Sequence, residues 1–404
     1  LGTSSVRCTA ISDNEAPIAA SKIELPLPEN PGSGQYSQNP AFWWDATLKC
    51  LIQLGNEIPL NQVTAISVDG TSSTVLLTDK NNQPVSNALM YNDARSATML
   101  ETIKDIIPLE HLTRSASSSL LKSFWLLNNH KQNESFITHQ ADWILCKLTG
   151  IRGMSDENNC LKLGYDSIHN RWPGWMRKLP FEFFNKLPKV HATSEFAGHL
   201  CESVAKQTGL LTRTRLYFGT TDSTASTLAT GVKKEGQAVT TLGTTLVMKI
   251  LTAEAVNNFN YGLYSHRLPD NLWLTGGASN AGGNILLKYF SIDEIEQLSR
   301  KINPDEPTGL NYYPLSAPGE RFPINDPQLA PCLEPRPSSD VLFLAAIFEG
   351  LATIEKLAYE KIGELSGTKP KQIITSGGKA ANNQAFTAIR QRILGIPVKT
   401  ATYT

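Results

Sequence analysis

The 404-residue chain carries 37 basic and 37 acidic side chains, so its formal net charge is zero, and it is 41% hydrophobic and 18% charged. That balance leaves no electrostatic footprint for nucleic acid or an anionic membrane, and the length predicts two or three domains rather than one core. No apolar run is long enough to cross a bilayer, and six scattered cysteines without a CxxC pair predict reduced thiols in a cytoplasm-like compartment.

Taken in chain order, "LGTSSVRC" reads as a Gly-Thr-Ser turn running into a strand. It opens in the middle of that motif, so residues are expected before Leu1. "AFWWDATLKCLIQLG" has apolar residues at helical spacing and stops at Gly55. "VTAISVDG" and "TVLLTD" read as strands around a tight turn, and "SLLKSFWLLNNH" and "ADWILCKLTG" as helices. "LYFGTTDSTASTLATG" is a strand-like run, a turn carrying the lone acid Asp222, and a helix-like run. "GQAVTTLGTTLVMKIL" predicts two strands around Gly243, and "GGASNAGGNILLKYF" a Gly-rich approach to a helix. The Pro-rich stretch Tyr312 to Asp340 predicts a long ordered loop. From Val341 a long amphipathic helix follows, interrupted by Glu349, Glu355 and Lys356. "KQIITSGGKAANNQAFTAIRQRILGIPV" reads as strand, Gly turn and helix. Strands and helices mixed in both halves predict α/β domains, with a boundary near Gly231: residues 1–230 and 231–404.

"LGTSSVRCTAI" at Leu1 and "LGTTLVMKIL" at Leu242 share one pattern, with a shorter cousin, "VDGTSSTVLL", at Val68. Such a repeat suggests two related halves. Gly turns flanked by Thr and Ser present backbone N–H groups and hydroxyls that suit phosphate oxygens, although Gly, Ser and Thr also populate ordinary hairpin turns. The chain has neither GxxxxGK[ST] nor GxSxG, which excludes a P-loop and that type of serine hydrolase. Asp222 suits two roles equally: an N-cap for the helix that follows, or a carboxylate that takes a hydroxyl proton during phosphoryl transfer.

"FGTTDSTAS", the two Gly-Thr-hydroxyl turns and "TSGGKAANNQAF" together resemble the FGGY family of carbohydrate kinases, and supporting stretches such as "MYNDARS", "SDENNCLKLGYD" and "LPKVHATSEFAGHL" spread the resemblance over essentially the whole chain. Within the family, the "DGTSST" turn and the Pro-rich stretch look most like the D-ribulose kinases of cyanobacteria and plant plastids; xylulose kinases proper usually carry Met-His where this chain has Ser72 and Ser73. The resemblance implies an actin/hexokinase-like (ribonuclease H-like) fold of two domains, each a mixed five-stranded sheet flanked by helices. Asp222 matches the catalytic base and a Mg²⁺-facing carboxylate. Gly2, Thr3 and Ser4 match the first phosphate turn, and Gly243, Thr244 and Thr245 the second. Gly377, Gly378 and Asn382 match the adenosine motif, with Phe386 where an aromatic borders the base. Ser72, Ser73 and Asp93 match positions lining the sugar, and Arg95 reads mainly as a structural ion-pair partner.

Three departures stand out. The family's Asp before the first turn would precede Leu1, Lys379 stands in place of a third Gly, and the family's closing helix would follow Thr404. The expected function is ATP- and Mg²⁺-dependent phosphorylation of a pentulose, D-ribulose first, by a monomer or homodimer. The alternatives are D-xylulose or another polyol as acceptor, a non-catalytic ATP-binding module, or a phosphate-ester hydrolase.

Overall fold

Alternating burial along β1 (Ser5–Ile11) and β2 (Pro17–Glu24) marks an antiparallel hairpin with one face covered. In the computed structural model, which describes residues 1–130, 134–377 and 382–402, that face lies against helix α1 (Pro40–Leu54). Asn39 starts α1 by accepting the Ala41 N–H, and Pro40 sits in the first turn, where its missing N–H costs nothing. The helix buries Trp43, Ala46, Cys50 and Leu54, the apolar stripe read from sequence.

Strand β3 (Ser37–Gln38) precedes α1, and β4 (Ala65–Gly70), β5 (Val75–Thr78) and β6 (Ala88–Leu89) follow it. Then come α2 (Met99–Ile103), α3 (Ser119–Asn129), β7 (Phe136–His139) and α4 (Gln140–Thr149). Ser118 caps α3 through the Leu121 N–H, and α4 ends on the left-handed Gly150. Strands β8 (Met154–Asp156), β9 (Lys189–His191) and β10 (Phe196–His199), helix α5 (Glu202–Thr208), β11 (Arg215–Thr221) and α6 (Asp222–Ala229) complete this half.

By its internal contacts the chain divides into Leu1–Ala225 and Ser226–Thr404. The first unit does not form the expected five-stranded sheet. Its strands pair as β1-β2, β10-β11-β4, β3-β6-β5-β7 and β8-β9. Strands of two or three residues at β3, β6 and β8 are too short to carry one continuous ladder. Two apolar clusters hold the unit together, one around Trp43, Trp143, Ile144, Leu216 and Phe218, the other around Phe124, Leu120, Val75 and Phe183.

The second unit runs β12 (Gln237–Leu242), β13 (Leu246–Thr252), β14 (Tyr264–Arg267), β15 (Trp273–Ala278), α7 (Asn284–Tyr289) and α8 (Ile292–Ser299). After the Pro-rich stretch come α9 (Asp340–Ser366), β16 (Gln372–Gly377), α10 (Gln384–Leu394) and β17 (Val398–Thr400). Among the described residues its sheet has six strands, ordered β14-β15-β13-β12-β16-β17, with β17 parallel to β16 and β14 antiparallel to β15 at the edges. This corrects the expected five. Phe343, Ile347, Leu351, Ile354, Ala358 and Ile362 of α9 pack with Met248, Ile250 and Ile373 of the sheet in one core. The acids that seemed to interrupt α9 are inside it: Glu349 pairs with Arg392, and Glu355 with Arg390. Among the described residues, no helix is long and apolar enough to cross a membrane.

Candidate active site

Strands β4 and β11 run parallel, and their carboxyl ends meet, with Thr221 opposite Gly70. The turn Thr71–Ser73 leaves one strand and Asp222 begins the helix after the other, so both emerge from the same edge of the sheet. Ligands of open α/β sheets bind at such carboxyl ends. The first Gly-Thr-Ser turn reaches the same place: the backbone nitrogen of Leu1 lies 2.7 Å from Asp69 O. Ser4 is exposed, and Gly2, Thr3, Ser72 and Asp222 are half-buried. Asp222 Oδ1 accepts the Ser223 N–H at 2.7 Å, so part of the helix-end role is present.

Beside Asp222 stands a residue that sequence reasoning passed over. Asp69 is the last residue but one of β4, and its Oδ1 accepts the Thr220 N–H at 2.8 Å. The β4–β11 register slips between Phe218 and Thr221. Gly219 sits in that slip because a Cβ there would lie 2.3 Å from Val68 O and 2.6 Å from Asp69 Oδ1. Burial pushes the Asp69 carboxyl up from the ordinary range, the Thr220 N–H opposes the shift, and the neighbouring Asp222 carboxylate adds to it. The available signal was one acid placed in an otherwise strand-forming run, "AISVDG".

The expected sugar residues divide. Ser73 is buried at φ 69°, its hydroxyl donates to Ser117 O, and its own carbonyl accepts from Lys122 Nζ at 2.6 Å. Asp93 is 0% exposed, and its carboxylate accepts from Tyr36 N, Arg95 N and Arg95 Nε. Ser73 therefore braces the turn from inside through Ser117 and Lys122, while the Asp93 carboxylate is taken up by Tyr36 and Arg95. Of the four residues assigned to the sugar, Ser72, Ser73, Asp93 and Asp222, Ser72 and Asp222 keep some exposure. Arg95 has the ion-pair role expected of it.

Lys122 is the hidden brace of this region. It is fully buried and also donates to Met90 O at 2.8 Å. Burial holds its proton affinity well below an ordinary lysine's; nearby Lys162 acts the same way, while Asp93 opposes them. The unfolded chain therefore binds a proton that the folded chain has lost, in a window reaching up to the ordinary lysine pKa of about 10.4. Stability should rise with pH through that window. Urea midpoints measured from pH 7 to 10 are expected to climb in the wild type relative to Lys122→Met; parallel profiles would show that Lys122 carries no such linkage.

The second unit repeats the geometry. Parallel strands β12 and β16 end side by side, with Leu242 opposite Gly377. Gly243–Thr245 leaves one end, and Gly377 is the last residue of the other. Gly243 and Thr244 are exposed, and Thr245 is half-buried. The turn is buttressed from behind: Gly283 N donates to Gly243 O at 2.8 Å, and a Cβ on Gly282 would fall 2.5 Å from Thr244 O. Gly378 and Lys379 lie outside the described residues. Asn382 is exposed, whereas its neighbour Asn383 caps α10 through the Phe386 N–H. Phe386 departs from expectation. It is 3% exposed and packs on Phe348 at a centroid distance of 4.7 Å, because its place in the first turn of α10 faces α9. It offers no face to a base.

Among known proteins, the model of the N-terminal domain of the FGGY carbohydrate kinases matches residues 1–229, and that of the C-terminal domain matches residues 238–404. The chain belongs to the FGGY family of carbohydrate kinases. Among its relatives, the xylulose kinase of Staphylococcus xylosus is 24% identical over 95% of this chain and 83% of its own length. The gluconokinase of Bacillus subtilis is 22% identical over 81% of this chain and 69% of its own. The solved xylulose kinase of Brucella ovis superposes with a TM-score of 0.84 at 22% identity, covering 99% of this chain and 85% of that one. The glycerol kinase of Plasmodium falciparum, solved with ADP, superposes at 0.85 and 15% identity, covering 100% and 85%. This FGGY chain therefore shares the actin/hexokinase-like fold of those kinases, two mixed α/β domains, and its family transfers phosphate to the alcohol groups of sugars.

Proposed function

We propose that this FGGY chain transfers the γ-phosphate of ATP to a terminal hydroxyl of a pentulose. The meeting of Ser72 and Asp222 at the carboxyl ends of β4 and β11 carries the reading. A sugar held by that turn places its terminal hydroxyl against Asp222, which takes the proton as the oxygen attacks phosphorus. In the second unit the Gly243 N–H is donated to Thr245 O within the turn, and the Thr244 and Thr245 N–H groups with the Thr hydroxyls would supply donors for phosphate oxygens. Among the described residues, no group of three or more His, Cys, Asp or Glu forms a ready cation cage. Asp222 with Asp69 nevertheless offers the carboxylate oxygens that Mg²⁺ takes when water and phosphate fill the rest of its shell. Bound there, Mg²⁺ would neutralise charge on the transferring group.

For the acceptor we place D-xylulose ahead of D-ribulose. Several of the relatives are named xylulose kinases, whereas only the resemblance of the Ser72–Ser73 turn and of the Pro-rich stretch favours ribulose. A coupled ADP-release screen over D-xylulose, D-ribulose, gluconate and glycerol tests both. D-Xylulose is expected to give the highest kcat/KM by about tenfold, the scale of one net hydrogen bond to a hydroxyl. A reversal between the two pentuloses would restore ribulose, and turnover with neither would remove the pentulose reading. ATP affinity without turnover on any acceptor would identify a non-catalytic binder.

A further inference from the structure

We infer that Glu320, from the Pro-rich stretch, is a positioning residue for nucleotide phosphate binding. The inference rests on the proposed role of the Gly243–Thr245 turn. Glu320 is 2% exposed and lies far from that turn in sequence, yet its carboxylate ties Ser279 and Asn280, which lead to the turn, to Tyr313, Arg321 and Phe322 of its own loop. Oε2 accepts the Ser279 hydroxyl at 2.5 Å and the Tyr313 hydroxyl at 3.1 Å. Oε1 accepts Asn280 N at 2.7 Å and Arg321 N at 2.9 Å. Asn280 Nδ2 returns a bond to Gly319 O at 3.0 Å.

The segment so gripped, Ser279–Gly283, is the one that supports the turn. Leu246 N donates to Ala281 O at 2.7 Å, Ser279 N to Leu246 O at 2.9 Å, and Gly283 N to Gly243 O at 2.8 Å. Gly282 lies against Thr244 and Thr245 so closely that no Cβ fits. The turn therefore has one rigid wall, and Glu320 fixes that wall. The loop carrying Glu320 is itself closed by reciprocal backbone bonds between Glu320 and Asp326, at 2.8 and 3.0 Å. A buried carboxylate that accepts from five donors at once, the Phe322 N–H at 3.5 Å included, determines one loop conformation, since releasing any donor inside the protein is unfavourable. Without it the wall loosens, and the N–H groups that face phosphate lose their preset directions.

A positioning role has a signature that general damage lacks. Phosphate-bearing ligands should weaken while the nucleoside alone does not. Calorimetric titration with ADP in the presence of Mg²⁺, and separately with adenosine, is run on the full chain for wild type, Glu320→Ala, Glu320→Gln and the double variant Thr244→Ala/Thr245→Ala. Glu320→Ala is expected to raise the Kd for ADP at least tenfold and that for adenosine less than twofold. Glu320→Gln keeps one acceptor oxygen for the backbone N–H groups and is expected to lose about threefold for ADP; it decides the question by the same ratio if the Ala variant does not fold. Parallel weakening of ADP and adenosine overturns the inference. So does unchanged ADP binding in the Glu320 variants while the Thr double variant is weakened, which would leave the phosphate turn standing. If neither set weakens ADP, the phosphate reading of the turn falls and takes the Glu320 role with it.

Discussion

Asp222→Asn is expected to lower kcat for sugar phosphorylation about 10²- to 10⁴-fold, the range that a positioned general base contributes. That corresponds to about 3–5 kcal/mol of barrier. The substitution keeps an oxygen to accept the Ser223 N–H, so α6 should start where it does now. The sugar KM should change little, because Ser72 and the braced turn beneath it are untouched. The change also removes a negative charge beside Asp69, whose carboxyl should then ionise more readily. Folded stability should accordingly hold or rise slightly at neutral pH. Sugar-dependent ADP release, measured with Tm on the same preparation, checks both halves. Activity within severalfold of wild type would remove Asp222 from the chemistry, and a collapsed Tm would make its role structural.

Arg390→Met is expected to cost about 3–5 kcal/mol, the usual result of leaving one partner of a buried ion pair alone. Arg390 is 1% exposed and forks onto both oxygens of Glu355, Nε to Oε2 at 2.7 Å and Nη2 to Oε1 at 2.6 Å. Its Nη1 reaches Thr375 Oγ1 in β16, and Glu355 Oε1 also accepts from Thr240 in β12. One cluster thus ties α9 and α10 to the two parallel strands whose ends present Gly243 and Gly377. Met keeps the apolar stem and removes the guanidinium, so the loss combines the stranded Glu355 with the emptied guanidinium volume. Adding Glu355→Leu removes the stranded charge, and the double variant should recover most of the stability. Hydrogen exchange in β12 and β16 reads the effect locally. An Arg390→Met variant as protected as wild type would show that the pair contributes nothing net.

Much of this architecture was legible as local chemistry. Helices α1, α3, α4 and α9 follow from apolar spacing with a capping residue or a terminal Gly. Strands β12 and β13 follow from the run either side of Gly243. The strand counts were not legible. Whether β17 joins a sheet, or whether short strands in the first unit share one ladder, is decided by partners distant in sequence.

The candidate site divides in the same way. Asp222, Ser72 and the two Gly-Thr turns could be named from sequence because their residue types suit phosphate and proton chemistry wherever the chain puts them. Residue type did not reveal which side chains face inward. Asp93 and Phe386 carry suitable groups, but the first is consumed by Tyr36 and Arg95, and the second by the core between α9 and α10. Asp69 and Glu320 gained their places through contacts across long stretches of chain. Thr220 is 151 residues from Asp69, and Ser279 is 41 from Glu320.

By itself the sequence determined the kinds of element, the turns that could hold an anion, and the family. Those depend on neighbours within a few residues, where periodicity and backbone preference act directly. Only the tertiary structure decided that Asp222 has a second carboxylate beside it and that a Pro-rich loop braces a glycine turn. Parallel strand pairing and buried hydrogen bonds select such partners by shape and desolvation, and neither leaves a mark on a local stretch of residues.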